Sequence, residues 1–219
     1  LVLKKITLIF IAASAMPVWS GGLKSLEEFI KTCSTGRAEF TQVVTFPAKD
    51  AQPPRVKTSS GIFEFARPNR FRFIYKKPFE QSIVADGQTL WLYDVDLNQV
   101  TARKQAAALG STPAALIAAA PDLQALRADF TLTDGPDQGA LQWVLATPKS
   151  SDSQLQGVRV GFKPADAASR QPGGLAVLEI LDSYGQRSVL TFAHFEVNPP
   201  LPAKNFEFKT PAGADVIHQ

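Results

Sequence analysis

The sequence predicts a mainly β protein: an antiparallel sheet of about eleven strands curled around its oily face, with short α-helices covering the opening. Three observations lead there. Between Gly61 and Tyr93 aromatic residues recur at every second position, the period that puts side chains on one face of a strand. Strand-like alternation fills most of the chain, with no βα alternation and no internal repeat, which argues against a parallel sheet or a solenoid. One alanine- and leucine-rich stretch, 105–128, interrupts the strands and suits a cover over the oily side of a curled sheet.

In chain order, residues 1–20 read as a removable leader: Lys4-Lys5, an apolar or small run over 6–15, then small residues at candidate cleavage positions. Cleavage fits after Ala15 or after Ser20. The apolar run of about ten residues is too short to cross a bilayer as a helix, so export is expected and stable membrane insertion is not. Residues 21–219 are expected to form one domain. Leu23, Leu26, Phe29, Ile30 and Cys33 recur at helical spacing, and Gly36 is a plausible terminator of that helix. Ala38, Phe40 and Gln42 then alternate with polar residues as a strand. The proline-, lysine- and serine-rich segment 48–60 reads as a long hairpin loop. Strands are expected over 61–67, 71–75, 82–85, 88–93 (after the Asp86-Gly87 turn), and 98–102. Thr112-Pro113 and Pro121-Asp122 mark two helix starts, giving helices over 114–120 and 122–128. Strands resume at 130–132, 141–145, 158–162, 175–182, 188–197 and 206–208.

Composition narrows the function. Forty-five per cent hydrophobic residues and fifteen phenylalanines are ample for a large core. The formal charge is +3, and without Lys4 and Lys5 acids and bases nearly balance, so no basic stripe remains to track nucleic-acid phosphates. A single cysteine, Cys33, rules out an intramolecular disulfide and a multi-cysteine zinc site. On the apolar helical stripe it reads as a small buried hydrophobe, and behind Ile30-Lys31-Thr32 it does not read as a lipidation site. Neither His194 nor His218 sits in a catalytic motif, and no nucleophile elbow, zinc-protease motif or phosphate-cradling glycine loop is present. Asp94 and Asp96 read as solvated loop carboxylates. No enzyme, metal or cofactor is expected; an apolar ligand suits the pattern better.

Phe63, Phe65 and Arg67 share one parity, and Phe71, Phe73 and Tyr75 continue it beyond the Arg67-Pro68-Asn69 break. Glu64, Arg70, Arg72 and Lys76 take the opposite, outward face. A guanidinium is costly on an apolar face unless its donors meet acceptors. Arg67 therefore either ends its strand and reaches water, or it reaches carbonyls that need it.

Gly61-x-Phe-x-Phe-x-Arg67-Pro68-Asn69-x-Phe71, then Ser82-Ile83-Val84-x-Asp86-Gly87-x-Thr89-Leu90-Trp91-x-Tyr93, then Ser111-Thr112-Pro113-x-x-Leu116-Ile117-Ala118 resemble the LolA family. The ending Phe206-x-Phe208-x-x-Pro211-x-Gly213-x-x-Val216 matches too. The resemblance spans essentially the whole processed chain and favours cleavage after Ser20. It implies an unclosed antiparallel β-barrel with short α-helices forming a lid over an apolar cavity, and a soluble, monomeric periplasmic carrier that takes lipoproteins from the inner-membrane ABC-type exporter LolCDE. The carrier would shield their acyl chains and deliver them to the outer-membrane receptor LolB. It implies that Arg67 latches a lid by hydrogen-bonding backbone carbonyls near Ile30, Ile117 and Ala118. Phe40, Phe63, Phe65, Phe71, Phe73, Leu90 and Leu92 would line the acyl-chain cavity. Glu64 stands where relatives often carry an aromatic residue, in keeping with an outward position. Exposed acyl chains cost about 0.8 kcal/mol per methylene, so chains crossing water need such a cavity. Alternatives on the same fold are an exported carrier of another lipid and an RseB-like lipoprotein-sensing regulatory domain.

Overall fold

The computed structural model describes residues 21–48, 53–105, 120–150, 154–164 and 173–219. Helix α1 (Gly22–Thr32) is followed by strands β1 (Thr35–Thr45), β2 (Val56–Ala66), β3 (Arg70–Lys77), β4 (Gln81–Ala85), β5 (Thr89–Asp94) and β6 (Gln99–Lys104). Helix α2 (Leu123–Asp129) leads into β7 (Phe130–Asp134), β8 (Gln142–Pro148), β9 (Leu155–Lys163), β10 (Gly174–Asp182), β11 (Arg187–Val197) and β12 (Asp215–His218). One twelve-stranded sheet results, in the order β12-β6-β5-β4-β3-β2-β1-β11-β10-β9-β8-β7. β7 and β12 are its two edges, so the sheet curls without closing.

Every pairing is antiparallel except β12 with β6, which is parallel. The C-terminal end departs from the sequence expectation in a second way. Residues around 206–208 do not form a strand; Ala203–Phe206 is a 3-10 turn, and the strand comes later, at β12. The segment instead lies across the convex face, where Phe206 is buried and Phe208 stacks on Trp91 with ring centroids 5.2 Å apart. Alternation of Phe206 and Phe208 therefore serves packing onto the sheet and not pairing within it. The hairpin loop is also shorter than composition suggested. Val56 to Ser60 pair with Thr45 to Thr41 as part of β2, because lysine and serine are tolerated on strand faces that meet water.

Gly36 is not a helix terminator. The helix ends at Thr32, and Gly36 sits in β1, where an added Cβ would lie 2.3 Å from the Phe65 ring. Asn198 closes the helix end instead: its side-chain amide donates to the Thr32 carbonyl at 2.7 Å and its oxygen accepts from Ser34 N at 2.7 Å. At the other end Asp134 accepts from Leu23 N at 2.7 Å, satisfying an orphan donor of the first turn. Leu26, Phe29 and Ile30 face inward and are buried, each worth roughly 1.5–3 kcal/mol on burial. The helix thus lies across one end of the concavity, held to β7 and β8 at its start and to β1 and β11 at its finish. Asp122 caps α2 by accepting from Ala125 N at 2.8 Å. The expected helix over 114–120 lies outside the described residues.

The core is the concave side of the sheet, where Phe40, Phe63, Phe65, Phe71, Phe73, Leu178, Leu190 and Phe192 meet α1. The register puts the β1–β2, β3–β4, β5–β6 and β10–β11 turns at one rim. The β2–β3 turn and the start of β1 lie at the opposite rim, beside the end of α1.

Candidate functional site

The seven aromatic and leucine positions singled out by parity converge on one face. Phe65 and Phe71 are fully buried, Phe40, Phe63, Phe73 and Leu90 nearly so, and Leu92 packs against them partly buried. Neighbouring strands bring their rings into contact. Phe63 stacks on Phe73 at 4.5 Å, Phe40 meets Phe73 edge-on at 5.4 Å, and Phe29 of α1 lies 5.9 Å from Phe65. Such pairs add about 0.5–1.5 kcal/mol beyond their burial. The surface is thus apolar, continuous and covered by a helix.

Arg67 follows the last residue of β2 and turns into that same face. Its Nε donates to the Cys33 carbonyl at 2.9 Å, and one Nη donates to the Ala120 carbonyl at 2.8 Å. The guanidinium lies 5.4 Å from the Phe29 ring centroid and 5.3 Å from that of Phe65, within the range of cation–π attraction. Burial pushes its pKa down to about 10, partly offset by the neighbouring Cys33. The acceptors belong to the end of α1 and to the residue that precedes α2, so Arg67 ties both covering segments to the sheet. Ile30 contributes a buried side chain to the same cluster, and the carbonyl used is that of Cys33, three residues on. Ile117 and Ala118 lie outside the described residues. The Cys33 thiol is buried and donates to the Thr35 carbonyl at 3.1 Å; burial pushes its pKa up to about 11, against the opposing effects of Asn198 and Arg67.

At the opposite end the concave face carries polar groups that the aromatic pattern concealed. Tyr75 hydroxyl donates to Gln42 Oε1 at 3.0 Å, and Gln42 Nε2 donates to Ser188 Oγ at 2.8 Å. Burial pushes the Tyr75 pKa up to about 12. The trio borders an open depression of about 270 Å³. Parity did place Gln42 and Tyr75 on the inner face; their meeting depends on the register of β1 with β2 and β3.

The outward position expected for Glu64 holds for its direction and fails for its exposure. Glu64 points to the convex side, but only 1% of it is exposed, because the C-terminal segment covers it. Its carboxylate accepts from Arg37 Nε at 2.7 Å, Arg72 Nε at 2.5 Å and Asn205 Nδ2 at 3.3 Å. Burial pushes its pKa up, but hydrogen bonds and charge from Arg72 and Arg37 outweigh this and hold it below the ordinary range. A covering segment more than a hundred residues away leaves no trace in strand parity, so the sequence could not show this.

Among the described residues no His/Cys/Asp/Glu cluster suits a metal ion, and no helix is long and apolar enough to cross a membrane. A half-open sheet with an apolar concave face, covered by segments tied through one half-buried arginine, defines a hydrophobic-ligand carrier architecture. The profile of the family described as "Outer membrane lipoprotein carrier protein LolA" matches residues 31–209. An outer-membrane lipoprotein carrier protein of Albidiferax ferrireducens is 70% identical over 99% of this chain and 100% of its own length. A protein of the same description from Ralstonia nicotianae is 41% identical over 97% of this chain and 94% of its own. The chain belongs to the LolA family. An uncharacterised conserved protein of Thermus thermophilus shares the fold at 13% identity, with a TM-score of 0.51 over 90% of this chain and 96% of that one.

Proposed function

We propose that this protein is a periplasmic lipoprotein chaperone. It accepts lipoproteins at the inner membrane from an exporter of the LolCDE type, shields their acyl chains against the aromatic concave face, and delivers them to a LolB-type outer-membrane receptor. The leader 1–20 is removed, leaving a carrier that starts at Gly21. The observation that carries this reading is Arg67, donating to the Cys33 and Ala120 carbonyls at the rim of a continuous apolar surface. A stable core has no need of a half-buried cation there. A cover that must open and shut does, because the bonds hold the closed form and are surrendered to water in the open one. Arg67 in this reading is the latch, and the seven side chains Phe40, Phe63, Phe65, Phe71, Phe73, Leu90 and Leu92 are the surface the acyl chains take over.

The names of the relatives, outer-membrane lipoprotein carrier proteins covering nearly the full chain, support the cargo. The test is purification from periplasm followed by mass spectrometry of the bound material. Triacylated or diacylated proteins are expected; a free lipid or glycolipid alone would replace this reading with that of a carrier for another lipid.

A further inference from the structure

The depression at the turn-bearing rim, away from Arg67, has walls of Phe73, Ile83, Leu155, Ile180 and Leu190. Its polar members are the Tyr75–Gln42–Ser188 chain. We propose that this chain is a subsite for the ester carbonyls that join acyl chains to their glyceryl head, an inference that rests on the lipid-carrier reading above. Three features define the ligand chemistry. First, the volume of about 270 Å³ is below the roughly 300–1,000 Å³ of pockets that engulf a whole small molecule; it suits the linkage region, with the chains continuing onto the aromatic surface. Second, the two hydrogen bonds run in one direction, from tyrosine to glutamine to serine. The Ser188 hydroxyl hydrogen is left without an acceptor among the described residues, although Ser188 is only 6% exposed. A carbonyl oxygen would complete the chain, and an alkyl chain would leave the donor unmatched. Third, the charged side chain lining the depression among the described residues is Asp182, which is engaged by the backbone N–H groups of Tyr184 and Gln186. A carboxylate beside the site disfavours a phosphate and leaves a neutral acceptor as the fitting partner.

The consequence is a polarity for the cargo. The glyceryl linkage sits at the turn-bearing rim and the chain ends point toward Arg67. The attached protein emerges near Tyr184, which is 75% exposed, and the latch acts on the far ends of the chains.

The test compares 1,2-dioctanoylglycerol with 1,2-dioctylglycerol, which has the same alkyl termini and no carbonyls, as displacers of 1-anilinonaphthalene-8-sulfonate from the purified full chain. The wild type is expected to prefer the diester about three- to ten-fold, the effect of one neutral hydrogen bond. Ser188→Ala and Gln42→Leu should each reduce that preference to less than two-fold. Tyr75→Phe, which keeps the ring, should reduce it partially, and circular dichroism confirms that each variant is folded. Equal affinity of the wild type for the two lipids overturns the subsite, as does a preference that survives both Ser188→Ala and Gln42→Leu. Displacement by neither lipid refutes the lipid-carrier reading itself, and the subsite falls with it.

Discussion

Replacing Arg67 with leucine should convert the carrier into one that loads and fails to unload. Two charge-assisted bonds, to the Cys33 and Ala120 carbonyls, contribute about 1.5–3 kcal/mol each. Against them, holding the guanidinium's pKa down from 12.5 to about 10 costs about 3 kcal/mol, at about 1.4 kcal/mol per pH unit. These two bonds alone therefore favour the closed form by roughly 0–3 kcal/mol, a margin small enough for cargo to reverse. In Arg67→Leu the closed form retains both carbonyls without their donor, at about 1–3 kcal/mol each, whereas water reaches them when the cover opens. Relief of the buried charge offsets part of this, and leucine adds apolar surface to the open, loaded state. A shift of about 2 kcal/mol, or about thirty-fold toward the open form, is expected. Transfer from loaded carrier to an outer-membrane receptor is the assay, measured apart from release of lipoprotein from spheroplasts. Release should persist while transfer falls at least ten-fold. Arg67→Lys, a point charge without the planar fork, should be intermediate. Undiminished transfer by Arg67→Leu would refute the latch.

Phe71→Glu places a carboxylate at a fully buried position among aromatic rings; acceptance of lipoprotein should be lost, and wild-type loading in the spheroplast release assay would contradict the placement of the acyl chains. Glu64→Gln removes the shared partner of Arg37 and Arg72 and should lower stability by about 2–4 kcal/mol, less than a fully buried pair because both arginines reach water; denaturant unfolding at pH 7 measures it. Since the folded pKa of Glu64 is depressed, its stabilisation is complete above the ordinary value of 4.5 and is lost as pH falls through the folded pKa. The difference between wild type and Glu64→Gln should therefore shrink in that acid window. Cys33, with its thiol pKa pushed up to about 11, should react with a maleimide at pH 7 at least ten-fold more slowly than in the unfolded chain, and faster in Arg67→Leu if that variant opens the cover; equal rates in both folded proteins would argue against opening.

How much of this was legible follows from the range of each interaction. Parity within a strand is local, so the aromatic face, the inward Arg67 and the inner position of Gln42 could all be read from the sequence. The start of α2 at Asp122 was legible for the same reason, since a cap and the helix it caps are neighbours. What escaped depends on which distant segment arrives. Glu64 looks solvated until residues 198–208 cover it, and Phe206 and Phe208 alternate like a strand while packing as a strap. Acceptors of Arg67 were expected near Ile30, Ile117 and Ala118; the latter two lie outside the described residues, and at the first the helix runs on to Thr32 and presents the Cys33 carbonyl. Resemblance supplies a region there, and only the helix end fixes the atom.

On the latch reading proposed above, the covered carboxylate also says which half would stand still. Glu64 on β2 and Arg67, the residue just after that strand, are three residues apart and point to opposite sides. The first is pinned from the convex side by Arg37, Arg72 and Asn205, and the neighbouring Arg70 lies 5.9 Å from the ring centre of the buried Phe206. β2 and β3 are therefore clamped from behind at the place where Arg67 reaches forward. Its partners are backbone carbonyls on the end of α1 and just before α2, which approach from the other side with no comparable clamp on Ala120 among the described residues. On the latch reading, opening should accordingly move the segment that carries Ala120 away from a stationary arginine, since the end of α1 is itself held by Asn198. Loosening the clamp and cutting the latch are then separable perturbations: the first lowers the unfolding free energy of the sheet, and the second shifts an equilibrium within the folded state. A carrier that binds many methylenes and still lets go depends on that separation. On the latch reading its affinity would be scaled by the open fraction, and the sheet that sets the geometry of the closed state need not weaken for the cargo to leave.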